Sequence, residues 1–152
     1  MAENGPERES DNESLGILYG DPEAVWRWHI QYTGQEYEGI RSIVAAIGIT
    51  KGDKLIGSVI YSRYRPPDIE LHIHTVDRRW CNRRTLRAIF SFPFLQLGCG
   101  RCTAITDPAN PAVVNFLERI GFVREGIQRK ASTRHTDLYA MGMLREECKW
   151  IK

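Results

Sequence analysis

Three titratable side chains, Glu70, His72 and His74, alternate with apolar residues near the middle of the sequence. Residues two apart in a β-strand point to the same face, so a strand over Ile69–Val76 would place all three together. An imidazole with a pKa near ~6.5 accepts a proton at neutral pH, which makes both histidines candidates for a general base. The alternative is that a half-solvated strand carries polar residues on its open face without any chemical role.

An arginine-rich segment follows this strand directly. Five arginines fall within ten residues, at Arg78, Arg79, Arg83, Arg84 and Arg87. Guanidinium groups form charge-assisted hydrogen bonds with phosphates, so the cluster favours a phosphate-binding turn. A basic helix face that is simply exposed to water would have the same composition.

Two cysteines, Cys99 and Cys102, have the spacing of a metal-binding or redox pair. A structural zinc site needs a second pair of ligands, and His135 is a remote partner at best. A thioredoxin-like pair needs its first cysteine at a helix N-terminus, whereas Cys99 lies where a helix ends and a strand begins. We therefore predict no metal site.

Seven segments have the β-branched or alternating pattern of strands. They are Leu15–Tyr19, Ser42–Thr50, Leu55–Tyr61, Ile69–Val76, Arg101–Ile105, Phe122–Lys130 and Leu138–Arg145. The second and third flank a short turn over residues 51–54 and are predicted to form a β-hairpin.

Three helices are predicted between these strands. The first begins at the cap Asp21 and ends at Gly34. The second buries Leu86, Ile89, Phe90 and Phe94 and is ended or kinked by Pro93. The third has Asn110 as its cap, buries Val113, Val114, Leu117 and Ile120, and ends at Gly121.

The composition is that of one folded, water-soluble domain, with 152 residues, 42% of them hydrophobic and 26% charged. No stretch reaches the ~18 apolar residues of a membrane span, and we expect no membrane partner. Residues 1–14 carry five acidic residues against one arginine, which predicts a disordered acidic tail before a single domain over residues 15–152. Four cysteines without a secretory signal predict reduced thiols and a cytoplasmic location.

The charge is unevenly distributed. The chain carries +2 overall, so the residues after the acidic tail carry +6. A basic body of this kind suits an anionic ligand such as a nucleotide, a phosphate or nucleic acid.

Two motifs resemble the GNAT family of acyl-CoA-dependent N-acyltransferases. Residues 110–126 read Asn-Pro-Ala-Val-Val-Asn-Phe-Leu-Glu-Arg-Ile-Gly-Phe-Val-Arg-Glu-Gly, similar to that family's penultimate helix and the strand after it. Residues 137–147 and the connection over residues 96–101 resemble its Rim-type branch, which acetylates protein N-termini. Short relatives of this kind are frequent in bacteriophage genomes, and the Arg-Trp-x-x-Arg-Arg turn suggests that origin.

The resemblance implies an α+β (mixed α/β) fold, with a mostly antiparallel sheet of six or seven strands and three or four helices. It implies acetyl-CoA as co-substrate, with the strand Ile69–Val76 splayed from its neighbour so that its backbone binds the pantetheine arm. The implied cofactor-binding residues are Thr75, Val76, Arg78, Arg79, Trp80, Cys81, Asn82, Arg83, Arg84 and Asn110. The family's usual turn contains glycines, and this turn contains none.

For catalysis, the resemblance implies Glu70 as the general base, with His72 and His74 on the same face. Leu117 stands where many members have an acidic tyrosine, and Ser132 or Tyr139 are conceivable substitutes. The expected acceptor is a small-molecule or peptide amine, near aromatic residues at positions 26, 28, 32 and 37, and the expected state is a monomer or homodimer. The alternatives are a binding module that has lost acyl transfer, or an enzyme acting on nucleic acid or aminoacyl-tRNA.

Overall fold

The computed structural model describes residues 14–34 and 43–152, and within them the predicted order of elements is confirmed. The strands are β1 (Leu15–Leu18), β2 (Ile43–Lys51), β3 (Lys54–Arg65), β4 (Asp68–Thr75), β5 (Arg101–Thr106), β6 (Val123–Gln128) and β7 (Leu138–Leu144). The α-helices of the described ranges are α1 (Pro22–Thr33), α2 (Arg83–Ser91) and α3 (Pro111–Ile120). Ser42, Tyr37 and the first thirteen residues of the predicted tail lie outside the described residues.

The strands form one seven-stranded sheet in the order β1-β2-β3-β4-β5-β7-β6. Every neighbouring pair is antiparallel except β4 and β5, which are parallel. A parallel pair needs a crossover connection, and α2 supplies it. The predicted mixed, mostly antiparallel sheet is therefore confirmed.

The larger core lies on one face of the sheet, where α2 and α3 pack. Leu86 and Phe90 of α2 and Leu117 of α3 belong to the same buried cluster as Ile69 and Leu71 of β4. A smaller cluster of Val25, Ala46 and Ile60 lies under α1. The alternation of β4 therefore sends its apolar residues into the main core and its polar residues toward α1.

The termini of α1 match the sequence pattern. The Asp21 carboxylate accepts a hydrogen bond from the Ala24 N–H at 3.1 Å. At the other end, Gly34 adopts a φ of +65°, and its N–H donates to the Ile30 carbonyl. A left-handed residue here suits glycine, because it has no Cβ to clash with the helix.

The prediction that Asn110 is the cap of α3 is confirmed for its position but wrong for a side-chain hydrogen bond. Asn110 occupies the cap position, but its side chain makes no capping hydrogen bond, and Asp107 instead accepts from the Ala109 N–H at 2.9 Å. The prediction that Val113 is buried is also wrong, since it is 38% exposed and borders the cavity described below. Val114, Leu117 and Ile120 are buried as expected.

The helix α2 ends at Ser91 and continues as a π-helical turn, Phe92–Gln96, which contains Pro93. The lost N–H of proline explains why the α-helical pattern stops here. Just before this junction, the buried Tyr61 hydroxyl donates a 2.6 Å hydrogen bond to the Ile89 carbonyl. This contact joins the centre of β3 to the last turn of α2.

We predict that Tyr61→Phe lowers the free energy of unfolding by about 1–2 kcal/mol, because it leaves the buried Ile89 carbonyl without its donor. Urea denaturation measures the effect. Tyr64→Phe is the matched control, since Tyr64 is 37% exposed on the same strand and should change stability little. Equal stability of the two variants would contradict a structural role for the hydroxyl.

Candidate active site

The gap between β4 and β5 is the main opening in the sheet. The parallel pairing joins Asp68 to Arg101, Ile69 to Cys102 and Glu70 to Thr103, and it ends there. From Leu71 onward, β4 has its β3 partner only. The strands thus diverge beside Glu70.

The backbone groups that face this gap follow from strand alternation. The Val76 N–H donates to the Ile56 carbonyl of β3 at 2.9 Å, so it points away from β5. Successive residues point their N–H and C=O groups to opposite sides of a strand, which directs those of Leu71, Ile73 and Thr75 into the gap. The predicted role of Thr75 is compatible with this placement, whereas the Val76 N–H already has a partner.

The gap opens into a cavity of about 700 Å³. One wall of the cavity contains Glu70, His72 and His74 of β4. The opposite wall is formed by β5 and α3 and includes Thr106 and Leu117. A cavity of this size and mixed polarity is typical of a small-molecule site.

Glu70 and His72 lie side by side on the wall of the cavity that faces α1. The Glu70 carboxylate is 3.5 Å from His72 Nε2, and that nitrogen is 3.1 Å from the Ser62 hydroxyl. On its other side, the carboxylate is 3.7 Å from the guanidinium Nε of Arg63. The two predicted bases are therefore neighbours within one polar network.

Burial sets the protonation of this pair. It raises the pKa of Glu70 above its ordinary value, while the positive charge of Arg63 opposes the shift. Burial, followed by the charges of His29 and Arg63, lowers the pKa of His72 to about 4. At neutral pH His72 is therefore an uncharged imidazole, and a weaker proton acceptor than an ordinary histidine.

His74 lies in an aromatic part of the same wall. Its ring is 5.9 Å from that of Trp28 and 6.4 Å from that of the buried His29, measured between centroids. His29 Nδ1 in turn is 2.7 Å from the Ser58 hydroxyl. Burial lowers the pKa of His74 as well, so this part of the wall is neutral at pH 7.

The arginine-rich segment connects β4 to α2 at the open end of the gap. Asp77 accepts hydrogen bonds from the backbone N–H and the guanidinium of Arg79, and these bonds lower the pKa of Asp77 to about 2. Trp80 is buried against Phe116 of α3, with ring centroids 5.4 Å apart. Arg79 therefore has a structural contact within the turn and Trp80 has one with α3, while the predicted part of both in cofactor binding stays a prediction.

The remaining arginines of this segment are available to a ligand. Arg78, Arg83 and Arg84 are exposed, as is Cys81. Asn82 caps α2, since its side chain accepts a 2.9 Å hydrogen bond from the Thr85 N–H. The N–H groups of Arg83 and Arg84 belong to the first turn of α2, where an α-helix offers them no internal acceptor.

The far wall of the cavity carries the candidates for proton donation. Leu117 is buried and has no proton to give. Ser132 borders the cavity and is hydrogen-bonded to Thr136 at 2.7 Å. The Tyr139 ring instead lies under the Arg124 guanidinium, 4.3 Å from its centroid. Of the two predicted substitutes for a tyrosine acid, the structure brings Ser132 to the cavity.

The cysteine pair lies in the interior of the fold. Cys99 and Cys102 are both buried, and burial raises the pKa of each thiol. Over residues 14–34 and 43–152, no group of three or more potential ligands is arranged to hold a metal ion. Within the same ranges, no helix is both long enough and apolar enough to cross a membrane.

Sequence comparison decides the family. The profile of the acetyltransferase (GNAT) domain matches residues 6–123, well over half of the chain. This chain belongs to the GNAT acetyltransferase family. Among curated proteins, none matches the sequence at a significant level.

Solved structures share the GNAT fold. Spermidine N-acetyltransferase from Vibrio cholerae, in a dodecameric structure, has a TM-score of 0.72 at 16% identity over 89% of this chain and 96% of its own. A GNAT acetyltransferase from Streptococcus pneumoniae has a TM-score of 0.65 at 19% identity, over 86% and 99%. Ard1 from Thermoplasma volcanium has a TM-score of 0.66 at 14% identity, over 86% and 97%. At these identities the likeness concerns the fold alone.

Three residues of the cavity were not predicted from the sequence as site residues. Ser62 and Arg63 lie on β3, and His29 lies on α1, yet all three border the cavity that contains Glu70. Ser58 and Ser62 are two polar residues, four apart, within the apolar middle of β3. This pattern is the signal that could have marked Ser62 as a residue of the cavity. No local pattern marks Arg63.

The lowered pKa of His72 has a consequence for stability. The unfolded chain binds a proton on His72 near pH ~6.5, while the folded chain does so only near pH 4, so stability falls between these values as the pH drops. We predict that the wild type loses about 3 kcal/mol more than His72→Gln on going from pH 7 to pH 4.

Urea denaturation at both pH values measures this difference. The control is His135→Asn, which removes an exposed histidine from the loop before β7 and should leave the pH dependence unchanged. The same loss of stability in wild type and His72→Gln would show that His72 titrates normally.

Proposed function

We propose that this protein transfers an acetyl group from acetyl-CoA directly to a primary amine. The observation that carries the proposal is the divergence of β4 from β5 beside Glu70, which opens the cavity next to the candidate bases. GNAT enzymes use acetyl-CoA as co-substrate, and membership of that family is the second support.

The open part of β4 fits the pantetheine arm. The five residues from Leu71 to Thr75 span about 16 Å at the ordinary rise of a strand. Backbone groups of Leu71, Ile73 and Thr75 can bind the amides of the arm as a neighbouring strand would. An N–H group at the inner end of the gap would then stabilise the negative charge that develops on the thioester oxygen.

The exposed arginines and the first turn of α2 would bind the pyrophosphate. The N–H groups of Arg83 and Arg84 and the dipole of α2 favour an anion at this position. The side chains of Arg78, Arg83 and Arg84 add charge-assisted hydrogen bonds that can replace the close backbone approach of the family's glycine-containing turn.

Glu70 is the general base of this proposal. The attacking amine must lose its proton, and the raised pKa of Glu70 makes its carboxylate a stronger proton acceptor than an exposed one. The neutral His72 lies 3.5 Å from the carboxylate, and its lowered pKa leaves Glu70 as the stronger base of the two. His74 lies further along the same wall and would border the acceptor.

The reaction needs little help at the leaving group. The carbon–sulfur bond of the thioester breaks as the new amide bond forms, and CoA leaves as a thiolate whose ordinary pKa is ~8.5. Ser132, one of the hydroxyls that border the cavity, can donate a hydrogen bond to that thiolate. The exposed Asn110 side chain, which is free of a capping bond, is available to contact CoA.

The acceptor is proposed only as a class, a small-molecule or peptide amine. Spermidine N-acetyltransferases among the structural neighbours are named for a small amine, which supports that class. The Rim-type branch and the bacteriophage origin stay predictions, as does the monomer or homodimer. The basic body keeps an acceptor on nucleic acid or aminoacyl-tRNA as the alternative.

One observation favours a second candidate, a binding module that no longer transfers acetyl groups. The turn contains no glycine, and Arg79 forms an ion pair with Asp77 at 3.1 Å. Such a module would still bind CoA but release no thiol with any amine. Calorimetry with CoA and a thiol-release assay over a panel of amines therefore separate the two functions, and absence of CoA binding at millimolar concentration contradicts both.

We predict that Glu70→Gln lowers kcat/KM by about 100-fold, since a positioned general base contributes roughly 10²–10⁴. The affinity for CoA should stay the same. In the wild type, kcat/KM should fall as the pH drops through the raised pKa of Glu70, and this inflection should vanish in the variant.

The matched control is Glu146→Gln, which removes an exposed carboxylate after β7 and should leave the rate unchanged. Full activity of Glu70→Gln at neutral pH would assign the proton transfer to another group.

We predict that the double variant Arg83→Gln/Arg84→Gln weakens CoA binding about tenfold, because it removes two exposed phosphate partners. Calorimetry at 50 and 200 mM salt measures this, and the salt dependence should also become shallower. The control is Arg65→Gln/Arg145→Gln, which removes the same charge at the opposite end of the sheet. Equal weakening in both pairs would indicate an effect of net charge only.

A further inference from the structure

Among the described residues that border the cavity, Arg63 is the one with a permanent positive charge. It borders the cavity, and its side chain is 70% exposed, in contrast to Glu70, which is 12% exposed. Its Nε lies 3.7 Å from the Glu70 carboxylate. A charged group in this position meets any amine that approaches Glu70 from solvent.

The backbone conformation at Arg63 determines the direction of this side chain. Arg63 has a φ of +48°, the left-handed region that residues other than glycine rarely adopt. It lies where the register of β3 and β4 shifts, between the pairs Ser62–Glu70 and Arg65–Asp68. A bulge of this kind redirects a side chain, and strain of this kind is tolerated where a site uses it.

The charges around the cavity do not suit a polycation. Among the described residues that border it, the carboxylates are Glu70 and Asp107, and Glu70 already has Arg63 beside it. An acceptor with several ammonium groups would meet the guanidinium as a like charge. An acceptor with an anion near its amine would instead find a partner for each group.

We propose that Arg63 recognises an anionic group of the acceptor, so that the acceptor is an amine with a carboxylate or phosphate a few bonds from its nitrogen. This inference rests on the proposed function. When such an acceptor binds, Arg63 moves from Glu70 to the anion, and Glu70 is left free to accept the proton of the amine. Arg63 thus determines specificity, while the acetyl transfer itself proceeds as proposed above.

The experiment compares matched pairs of amines by calorimetry on the full chain with CoA present. One pair is phenylalanine and 2-phenylethylamine, which differ by the carboxylate, and the other is O-phosphoethanolamine and ethanolamine, which differ by the phosphate. We expect the anionic member of at least one pair to bind roughly five- to tenfold more tightly, as for a partly exposed charge pair. The pair that shows the preference identifies the anion.

Two variants assign the preference to Arg63. Arg63→Gln should abolish it without changing the affinity for the uncharged member, and Arg63→Lys should restore part of it, because lysine keeps the charge but not the planar guanidinium. Arg65→Gln is the control, since it removes an exposed arginine two residues away that does not border the cavity. Thermal unfolding confirms that each variant is folded.

Equal affinities within both pairs, absence of binding by both anionic members, or a preference that survives Arg63→Gln would each overturn the inference. Release of CoA thiol is a separate readout. If the anionic amines bind through Arg63 but no amine is acetylated, the proposed function fails and the inference about recognition stands.

Discussion

The divergence of β4 from β5 after the Glu70–Thr103 pair is the constraint on which the rest of the site depends. Polar side chains hold the strands together below that point. The Thr103 hydroxyl donates to the Asp68 carboxylate at 2.8 Å, and Arg101 contacts both Asp68 and the Glu125 carboxylate. A Cβ at Gly142 would meet the ends of the Glu125 and Arg101 side chains, which would have to shift. The closed end is thus fixed by charge and hydrogen bonds, and the open end is free to take a ligand.

Beyond the divergence, the backbone itself becomes the binding surface. Polar backbone groups away from water require partners, and those of Leu71, Ile73 and Thr75 have none in β5. The same alternation that turns these groups toward the gap turns Glu70 and His72 toward α1. The backbone binding surface and the candidate base therefore belong to one strand. Inserting or deleting one residue in β4 would turn the side chains beyond that point to the opposite face of the sheet.

Local patterns made most of the fold predictable. The caps of α1 and the alternation of β4 depend on neighbours in sequence, so the residues themselves carry the information. The type and position of Asn110 predicted a side-chain capping bond that the structure lacks. The side chain that accepts a backbone hydrogen bond before α3 is Asp107, from the Ala109 N–H. Arg63 could not be predicted as a site residue, because its position depends on a register shift between β3 and β4. Features that depend on the pairing of distant segments need the structure.

The glycine-free turn shows how two ways of binding a phosphate compete. Glycines allow the backbone to approach the anion closely, whereas Trp80, buried against Phe116, fixes this turn to α3 by packing. That contact leaves the exposed side chains of Arg78, Arg83 and Arg84, together with the N–H groups in the first turn of α2, to reach a phosphate. Exposed arginine side chains attract a phosphate through their charge while they are in contact with water. Salt weakens this attraction much more than it weakens buried backbone hydrogen bonds. Cofactor affinity in this protein should therefore depend on ionic strength more steeply than in relatives with a glycine-containing turn.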